Sequence, residues 1–213
     1  MRDIILFGMQ GSGKGTQARI LAKEFDYKIF ETGSQLRKLA SEDSELGREV
    51  KEITTTGKLV SNEIVMKIVA TFLNELNKDE KAIFDGIPRS EQQRVSLEAE
   101  LEKADRKPLA VYISLTRTEA LRRLLGRKTC ADCGKIFGVK DGSENLKKCA
   151  ECGGELKIRA DDTKEAIETR LGVYEGETLP AIEKYRENGR LVEIEGIKSV
   201  EEVNRKIVEE IQK

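Results

Sequence analysis

Residues 8–16 read Gly-Met-Gln-Gly-Ser-Gly-Lys-Gly-Thr, and they directly follow an apolar run at residues 4–7. A short buried strand that enters a glycine-rich turn with one lysine, and then a helix, is the arrangement that cradles polyphosphate. Such glycines let successive backbone N–H groups surround phosphate oxygens, where a Cβ would intrude. Gly15 stands where the strict pattern has Ser or Thr, and Thr16 follows one position later. The segment predicts a nucleotide-binding protein.

Composition narrows the class of protein. The 213 residues suffice for one α/β domain with a sizeable core and an insert or two. With 38 Lys and Arg against 39 Asp and Glu, the net charge of −1 offers no argument for nucleic-acid or membrane binding. The chain has no histidine, which excludes histidine general bases and Ser-His or Cys-His nucleophile pairs. No apolar stretch suits a signal peptide or a membrane span, so we expect a cytoplasmic protein.

Strand and helix patterns alternate along the chain, which is typical of an α/β fold with a doubly wound parallel sheet. Five strands are predicted, over residues 3–7, 28–30, 82–84, 109–114 and 191–195. Helices are predicted over residues 15–25, 33–41, 44–55, 62–77, 91–103, 117–125, 164–188 and 199–212. The clearest helix is the one at 62–77, because Ser61 can cap it and its apolar residues form one stripe at helical spacing.

Two segments interrupt this alternation and are predicted to be inserts. Residues 31–60 contain two short helical patterns and form an insert, of a size suited to a mobile flap, between the second predicted strand and the helix at 62–77. Residues 126–162 carry glycines and all four cysteines but few long apolar side chains. They cannot bury much core of their own, so they need a metal ion or a disulfide to hold them together. Residues 1–30, 61–125 and 163–213 are left to form the core domain.

The four cysteines form two Cys-x2-Cys pairs, Cys130 with Cys133 and Cys149 with Cys152, separated by fifteen residues. This is the spacing of a tetrathiolate zinc ribbon, and a closed shell of four thiolates predicts a structural metal. Two disulfides are the alternative, which a reducing compartment disfavours. Iron or cobalt would suit the same thiolates.

Arginines occur beside glycines, at strand ends and at the edges of both inserts. Phosphoryl transfer needs positioning and charge neutralisation more than covalent help, and guanidinium groups bind phosphate oxygens in two-point fashion. An acceptor that is itself a phosphate needs no general base, which suits a chain without histidine. The candidates are Arg37, Arg89, Arg123, Arg127, Arg159 and Arg170.

Taken together, these motifs resemble the adenylate kinase family over essentially the whole chain. The resemblance rests on residues 8–16, Thr32-Gly33, Arg37, Gly57-Lys58-Leu59-Val60, Asp85-Gly86-Ile87-Pro88-Arg89, Gln93 and Arg159-Ala160-Asp161-Asp162. The cysteine insert is similar to the zinc-containing lid of many bacterial members. The resemblance implies a P-loop fold with a small helical insert at 31–60 that binds the nucleoside monophosphate and a zinc lid at 126–162.

The resemblance also implies roles for individual residues. For ATP it implies Gly11, Ser12, Gly13, Lys14, Gly15, Thr16, Arg123, Arg127, Ile136, Phe137 and Lys198. For AMP it implies Thr32, Arg37, Lys58, Leu59, Val60, Gly86, Ile87, Pro88, Arg89, Gln93, Arg159 and Arg170. The implied catalytic set is Lys14, Asp85, Arg89, Arg123, Arg159 and Arg170. Asp85 would hold magnesium through water, and Asp161 and Asp162 would orient the arginines of the lid hinge.

The implied reaction is reversible transfer of a phosphoryl group from MgATP to AMP, which gives two ADP, in a monomer whose two inserts close over the nucleotides. Two alternatives remain at this stage. One is a kinase for another monophosphate, namely CMP, UMP or GMP. The other is a zinc-ribbon NTPase that binds nucleic acid, which near-neutral charge and sparse aromatic residues disfavour.

Overall fold

The centre of the fold is a parallel five-stranded sheet, seen in a computed structural model that describes residues 2–138 and 145–213. Its strands are β1 (Ile4–Phe7), β2 (Lys28–Glu31), β3 (Ala82–Asp85), β4 (Leu109–Ser114) and β8 (Leu191–Glu195). Their order in the sheet is β2-β3-β1-β4-β8, and all four pairings are parallel, as predicted. The doubly wound α/β class and the five predicted strands are therefore confirmed.

Helices follow most of the strands. They are α1 (Lys14–Phe25), α2 (Thr32–Ala40), α3 (Glu45–Thr55), α4 (Asn62–Glu75), α5 (Glu91–Lys103), α6 (Arg117–Leu125), α7 (Lys164–Val173), α8 (Leu179–Glu187) and α9 (Val200–Ile211). The helix predicted over 62–77 ends at Glu75, because Leu76 takes an extended backbone with ψ 133°. The single helix predicted over 164–188 was wrong in one respect, since a π-helical turn, Tyr174–Thr178, separates α7 from α8.

Several helices begin where a side chain caps their first turn. Ser61 accepts a hydrogen bond from the Ile64 N–H and so caps α4 as predicted, and Ser199 forms a capping box with Glu202 at α9. Helix α1 differs, because it begins behind Gly13, whose φ of 103° lies in the left-handed region, and it has no side-chain cap. Its first turn therefore keeps backbone N–H groups for an anion.

Apolar side chains cover both faces of the sheet. Along β1, Ile5 and Phe7 belong to one buried cluster, and Ile4 and Leu6 belong to the cluster on the opposite face. This alternation follows from the two-residue period of a strand. Burial on both faces explains why β1 reads as a continuous apolar run, as is usual for a parallel sheet between helices.

A second, small sheet lies within the predicted lid. Its strands β5 (Lys128–Cys130), β6 (Ile136–Phe137) and β7 (Leu156–Lys157) are antiparallel in the order β6-β5-β7. Residues 139–144 of the predicted 126–162 insert lie outside the described residues. No helix in the described ranges is long and apolar enough to cross a membrane.

Strand β1 lies between β3 and β4, while the chain runs from β1 to β2 beyond β3. The connection that leaves β1 therefore runs toward the β2 edge, whereas the connection from β3 passes β1 and reaches β4 on its other side. In open α/β sheets, ligands bind at the carboxyl ends of the strands at such a switch point. The glycine-rich segment follows β1 at this edge, and Glu31 and Asp85 end the neighbouring strands.

Candidate functional site

A cavity of about 560 Å³ opens at the carboxyl ends of β1, β2 and β3. Its lining includes the glycine-rich loop, α2, the segment at 57–60, the segment at 85–89 and parts of the small antiparallel sheet. All the nucleotide-binding residues implied by the sequence line this cavity except Phe137 and Lys198. The fold thus brings into one space residues that the sequence separates by more than 150 positions.

Lys14 lies over the glycine-rich loop. Its Nζ donates to the carbonyl oxygens of Gly8 at 2.6 Å and Met9 at 3.1 Å. Burial lowers the pKa of this lysine to about 8, although the Asp85 carboxylate acts in the opposite direction. The ammonium of Lys14 is thus paired with two carbonyl oxygens and not with an anion. Such a buried cation is suited to bind a phosphate.

Asp85 ends β3 beside the loop and is 8 % exposed. Burial raises the pKa of its carboxyl, while Lys14 opposes that rise. A Cβ placed on Gly15 would lie 3.3 Å from Asp85 Oδ2. The missing Ser or Thr after the P-loop lysine therefore corresponds to a position where a side chain would crowd this carboxylate.

Glu31 is a second carboxylate at the same sheet edge, and the sequence analysis did not single it out. It pairs in register with Asp85 across β2 and β3. One of its oxygens lies 3.3 Å from Arg37 Nη2, and the other lies 4.0 Å from Arg19 Nη1. The signal that would have found Glu31 is the one used for Asp85, namely the last residue of a parallel strand.

Arg89 is held by three hydrogen bonds. Its Nε donates to the Gly86 carbonyl at 2.8 Å, its backbone N–H donates to Gln93 Oε1 at 2.9 Å, and Thr178 Oγ1 donates to its carbonyl at 2.8 Å. Burial lowers the pKa of the guanidinium, and the nearby Asp85 carboxylate opposes this effect. Gln93 therefore contacts the backbone of Arg89 through its oxygen, in addition to facing the cavity.

Arg123 reaches the glycine-rich loop from α6. It donates to Glu119 Oε1 at 2.7 Å, to the Gly11 carbonyl at 3.2 Å and to the Gly196 carbonyl at 3.1 Å. These three bonds hold a buried guanidinium at the edge of the loop, so it can add positive charge there without reorganising.

Three further arginines converge from the two ends of the small sheet and from α7. Asp162 binds Arg127 at 2.6 and 2.8 Å and Arg170 at 2.7 Å, and Asp161 lies 3.2 Å from Arg170 Nη1. Arg159 donates to Thr129 Oγ1 at 3.0 Å. Burial lowers the pKa of Arg159 to about 10, and the charges of the neighbouring arginines add to this shift.

An apolar part of the cavity adjoins these charges. Leu59, Val60 and Ile87 line it next to Thr32 and Pro88, and Lys58 contributes from the same segment. On the opposite side, Gln17 Nε2 donates to the Val200 carbonyl at 2.9 Å. Such surfaces beside a cationic centre are suited to flat apolar groups with polar edges, which nucleotide bases are.

Two residues implied for ATP lie elsewhere. The Phe137 ring is 4 % exposed and packs with Cys130 and Cys149 inside the small sheet, whereas its neighbour Ile136 lines the cavity. Strand alternation explains the difference, because adjacent side chains point to opposite faces. Lys198 lies 3.5 Å from Glu195 outside the lining, in the loop that leads to α9.

The four cysteines are brought together as free thiols, not disulfides. Their Sγ atoms all lie within 4.8 Å of one another, with Cys130 and Cys152 at 3.5 Å and Cys133 and Cys149 at 3.6 Å. A tetrahedral ion with bonds of 2.3 Å sets sulfur atoms about 3.8 Å apart, so the four thiols fit such an ion.

Glycines shape the two turns beside these thiols. Gly134 and Gly153 both have positive φ, 70° and 76°, and their N–H groups donate to the carbonyls of Cys130 and Cys149. Hydrogen bonding from the Cys133 backbone helps to lower the pKa of Cys130 to about 7. The segment is therefore arranged to hold a metal ion.

Comparison with known proteins agrees with this geometry. A family model described as adenylate kinase matches residues 6–190. An adenylate kinase of Dehalococcoides mccartyi strain 195 is 39 % identical over 215 residues, which cover 100 % of this chain and 99 % of that protein. The adenylate kinase of Petrotoga mobilis is 35 % identical, with 96 % and 94 % covered, and that of Archaeoglobus fulgidus is 34 % identical, with 96 % and 95 % covered.

Proposed function

The chain belongs to the adenylate kinase family, and on that premise we propose that it transfers a phosphoryl group reversibly from MgATP to AMP, which gives two ADP. One observation carries the proposal. A single cavity is lined by the lysine of a glycine-rich loop and by two arginines, Arg37 and Arg89, on the side of the helical insert. A donor and an acceptor phosphate would thus be bound in one enclosed space.

The donor side would be formed by the loop and two arginines. Backbone N–H groups from Gly11 to Thr16 would surround the ATP phosphates, and Lys14 would exchange its carbonyl contacts for the transferred group. Arg123 and Arg127 would neutralise charge from opposite sides. The adenine of ATP would lie near Ile136 and the start of α9. Both line the cavity, which supports this placement of the base.

The acceptor side would be formed by the helical insert and the segment after β3. Arg37 and Arg89 would bind the AMP phosphate, and Thr32 and Gln93 would contact the nucleoside. Leu59 and Val60 would lie along the base. Gly86 and its neighbours Ile87 and Pro88 would form the floor, with Lys58 at the rim; all of them line the cavity.

The chemistry follows from charge and position. A phosphate acceptor is already ionised near neutral pH, so the reaction needs no general base, in agreement with a chain that has no histidine. The arginines stabilise negative charge on the oxygens as the phosphoryl group passes. Arg159 and Arg170 would complete this set from the hinge, where Asp161 and Asp162 hold Arg170.

Two metals fit the residues present. Asp85 offers the carboxylate oxygen that magnesium prefers, and the ion would supply charge neutralisation at the phosphates when bound with ATP. Cys130, Cys133, Cys149 and Cys152 would hold zinc, because four thiolates form a closed tetrahedral shell. Zinc would then stabilise the small sheet and have no part in the transfer.

The organisation into a core (1–30, 61–125 and 163–213), an acceptor insert (31–60) and a lid (126–162) follows the same proposal. Closure of both inserts would exclude water, which would otherwise accept the phosphoryl group. We further propose that the protein acts as a monomer in the cytoplasm and binds ATP, ADP and AMP, with no nucleic-acid or membrane partner.

Formation of ADP from MgATP with AMP, GMP, CMP or UMP at matched concentrations tests the function. We expect strong transfer to AMP, its loss in Lys14→Met, and normal transfer in Lys23→Met, which removes an exposed lysine from the same helix. Preference for another monophosphate would overturn the adenine contacts. No transfer to any of the four from folded, zinc-loaded protein would overturn the kinase assignment.

A further inference from the structure

Two threonines of the same helical segment use their hydroxyl groups differently. Thr169 lies on α7, is half-buried, and donates to the Glu165 carbonyl four residues earlier at 3.0 Å, the usual local bond of a helical threonine. Thr178 is 6 % exposed and donates to the Arg89 carbonyl at 2.8 Å, across 89 residues of sequence. The long-range bond joins the helix to the segment after β3.

The π-helical turn places Thr178 at this contact. The turn ends at Thr178, and the N–H of Leu179 donates to the carbonyl of Tyr174, five residues earlier. Tyr174 and Thr178 are buried and line the main cavity, whereas the three residues between them are exposed. Wide turns of this kind are frequent at functional sites because they re-aim side chains.

The bond matters because of what else holds Arg89. Gln93 accepts from the backbone N–H of Arg89, so both backbone polar groups of this residue are bound by side chains from different helical elements. The guanidinium is anchored through Nε to the Gly86 carbonyl. Among residues 2–138 and 145–213, no acceptor is bonded to Nη1 or Nη2, which are the atoms a phosphate would use.

We propose that Thr178 is a positioning residue for the acceptor phosphate, in that its hydroxyl fixes the Arg89 carbonyl and thereby aims the Arg89 guanidinium. This inference rests on the proposed function. A two-point contact between guanidinium and phosphate requires both angle and distance, so a small shift of the backbone weakens it.

Arg170 gives the helix a second link to the site. It precedes Thr178 by eight residues in the same helical segment and is bound to Asp161 and Asp162 at the hinge of the lid. A helical segment of this length spans about 12 Å. The segment that carries Thr178 therefore joins the hinge of the lid to the arginine of the acceptor side.

The first test replaces the hydroxyl with a group of the same shape. In Thr178→Val we expect the KM for AMP to rise about tenfold while the KM for ATP stays within about twofold, because the lost hydroxyl is bonded to Arg89 on the acceptor side. Thr178→Ser keeps the donor and should restore most of the AMP affinity. Thr169→Val is the matched control and should leave both KM values unchanged.

A double-mutant cycle separates positioning from a general structural effect. The Kd for AMP is measured with and without Thr178→Val in three backgrounds, namely the wild type, Arg89→Lys and Arg37→Lys. We expect the penalty to shrink in Arg89→Lys, which already lacks the two-point contact, and to persist in Arg37→Lys. If Thr178→Val does not fold, Thr178→Cys keeps the volume, has a weaker donor, and carries the same expectation.

Three outcomes would overturn the inference. They are an AMP KM within about twofold of wild type in folded Thr178→Val, an equal loss for ATP and AMP, and an undiminished penalty in Arg89→Lys. Failure of the proposed function is a separate result, since it would appear as absent AMP-dependent ADP formation in the wild type.

Discussion

The carboxylate of Asp162 and the guanidinium of Arg127 form a two-point ion pair at 2.6 and 2.8 Å, with 1 % and 12 % of their side chains exposed. The same carboxylate binds Arg170 at 2.7 Å. One buried acid thus holds two cations, of which Arg127 is implied for ATP and Arg170 for the acceptor.

Asp162→Asn should therefore destabilise the protein strongly. We expect a loss of about 3–5 kcal/mol in the free energy of unfolding, since Arg127 loses its two-point carboxylate partner and Arg170 keeps only Asp161. Urea denaturation measures this loss. Asp43→Asn is the control, because its pair with Arg48 is exposed and should contribute little. Equal effects of the two substitutions would contradict the interpretation.

The effect of Asp162→Asn should also depend on pH. Burial raises the pKa of Asp162, but hydrogen bonds and charges from Arg127 and Arg170 outweigh burial and bring the pKa below its ordinary value. The stabilisation is then complete above about pH 4 and is lost as the pH falls through the lowered pKa of the folded state. The difference between wild type and Asp162→Asn should shrink in acid.

Lys14 should couple nucleotide binding to proton uptake. Its pKa in the unliganded protein is lowered by burial to about 8. Phosphate bound at Nζ favours the ammonium and raises that pKa, so at about pH 8.5 ATP binding should take up a proton. Calorimetry in buffers of different ionisation enthalpy measures the uptake. It should vanish in Lys14→Met and persist in Lys23→Met; uptake that survives in Lys14→Met would assign the proton to another group.

Removing the metal that we propose the four cysteines hold should lower stability more than it changes the chemistry. We expect the Tm to fall by about 5 °C or more, since a chain of this size loses about 2–4 °C for each kcal/mol of stability. At a temperature below the unfolding of both the loaded and the metal-free protein, kcat should change less than about tenfold. Metal content, Tm and kcat are compared before chelation, after it, and after reloading with zinc. Abolished activity in a chain that keeps its circular dichroism would contradict a structural role.

Gly15→Ala should impair transfer without unfolding the protein. The new Cβ would lie 3.3 Å from Asp85 Oδ2 and 3.6 Å from Arg19 Nη1, so the carboxylate must shift by a few tenths of an ångström. We expect kcat to fall about tenfold. Gly172→Ala is the control, because a Cβ there would meet no atom within 4 Å beyond its chain neighbours and its own helix backbone, and it should leave kcat unchanged. Unchanged kcat in Gly15→Ala would show that Asp85 tolerates the displacement.

Local pattern was enough to predict most of the fold. Ile4 to Phe7 form a strand because a continuous apolar run, rich in isoleucine, suits a sheet buried on both faces. Ser61 caps α4, and the spacing of the four cysteines predicted the cluster that the structure shows. These features depend on residues close to one another in sequence, so the sequence is enough to predict them.

Other features of the site depend on contacts that no local pattern encodes. The π-helical turn at Tyr174–Thr178 has glycine and proline nearby, at Gly176 and Pro180, which mark a break in the helix, but no local pattern indicates the bond from Thr178 to Arg89. The bridge from Glu31 to Arg19 and Arg37 likewise joins three separate elements. The burial of Phe137 with two cysteines follows from which face of a short strand turns inward.

The sequence by itself determined the element types, the phosphate loop, the thiol pairs and the family, because each depends on residue type at short spacing or on motifs in a set order. Tertiary structure alone decided how the buried charges are paired and aimed. Whether a given arginine is held by Asp162, Glu31 or a carbonyl depends on distances between elements. Those distances arise from packing over the whole core.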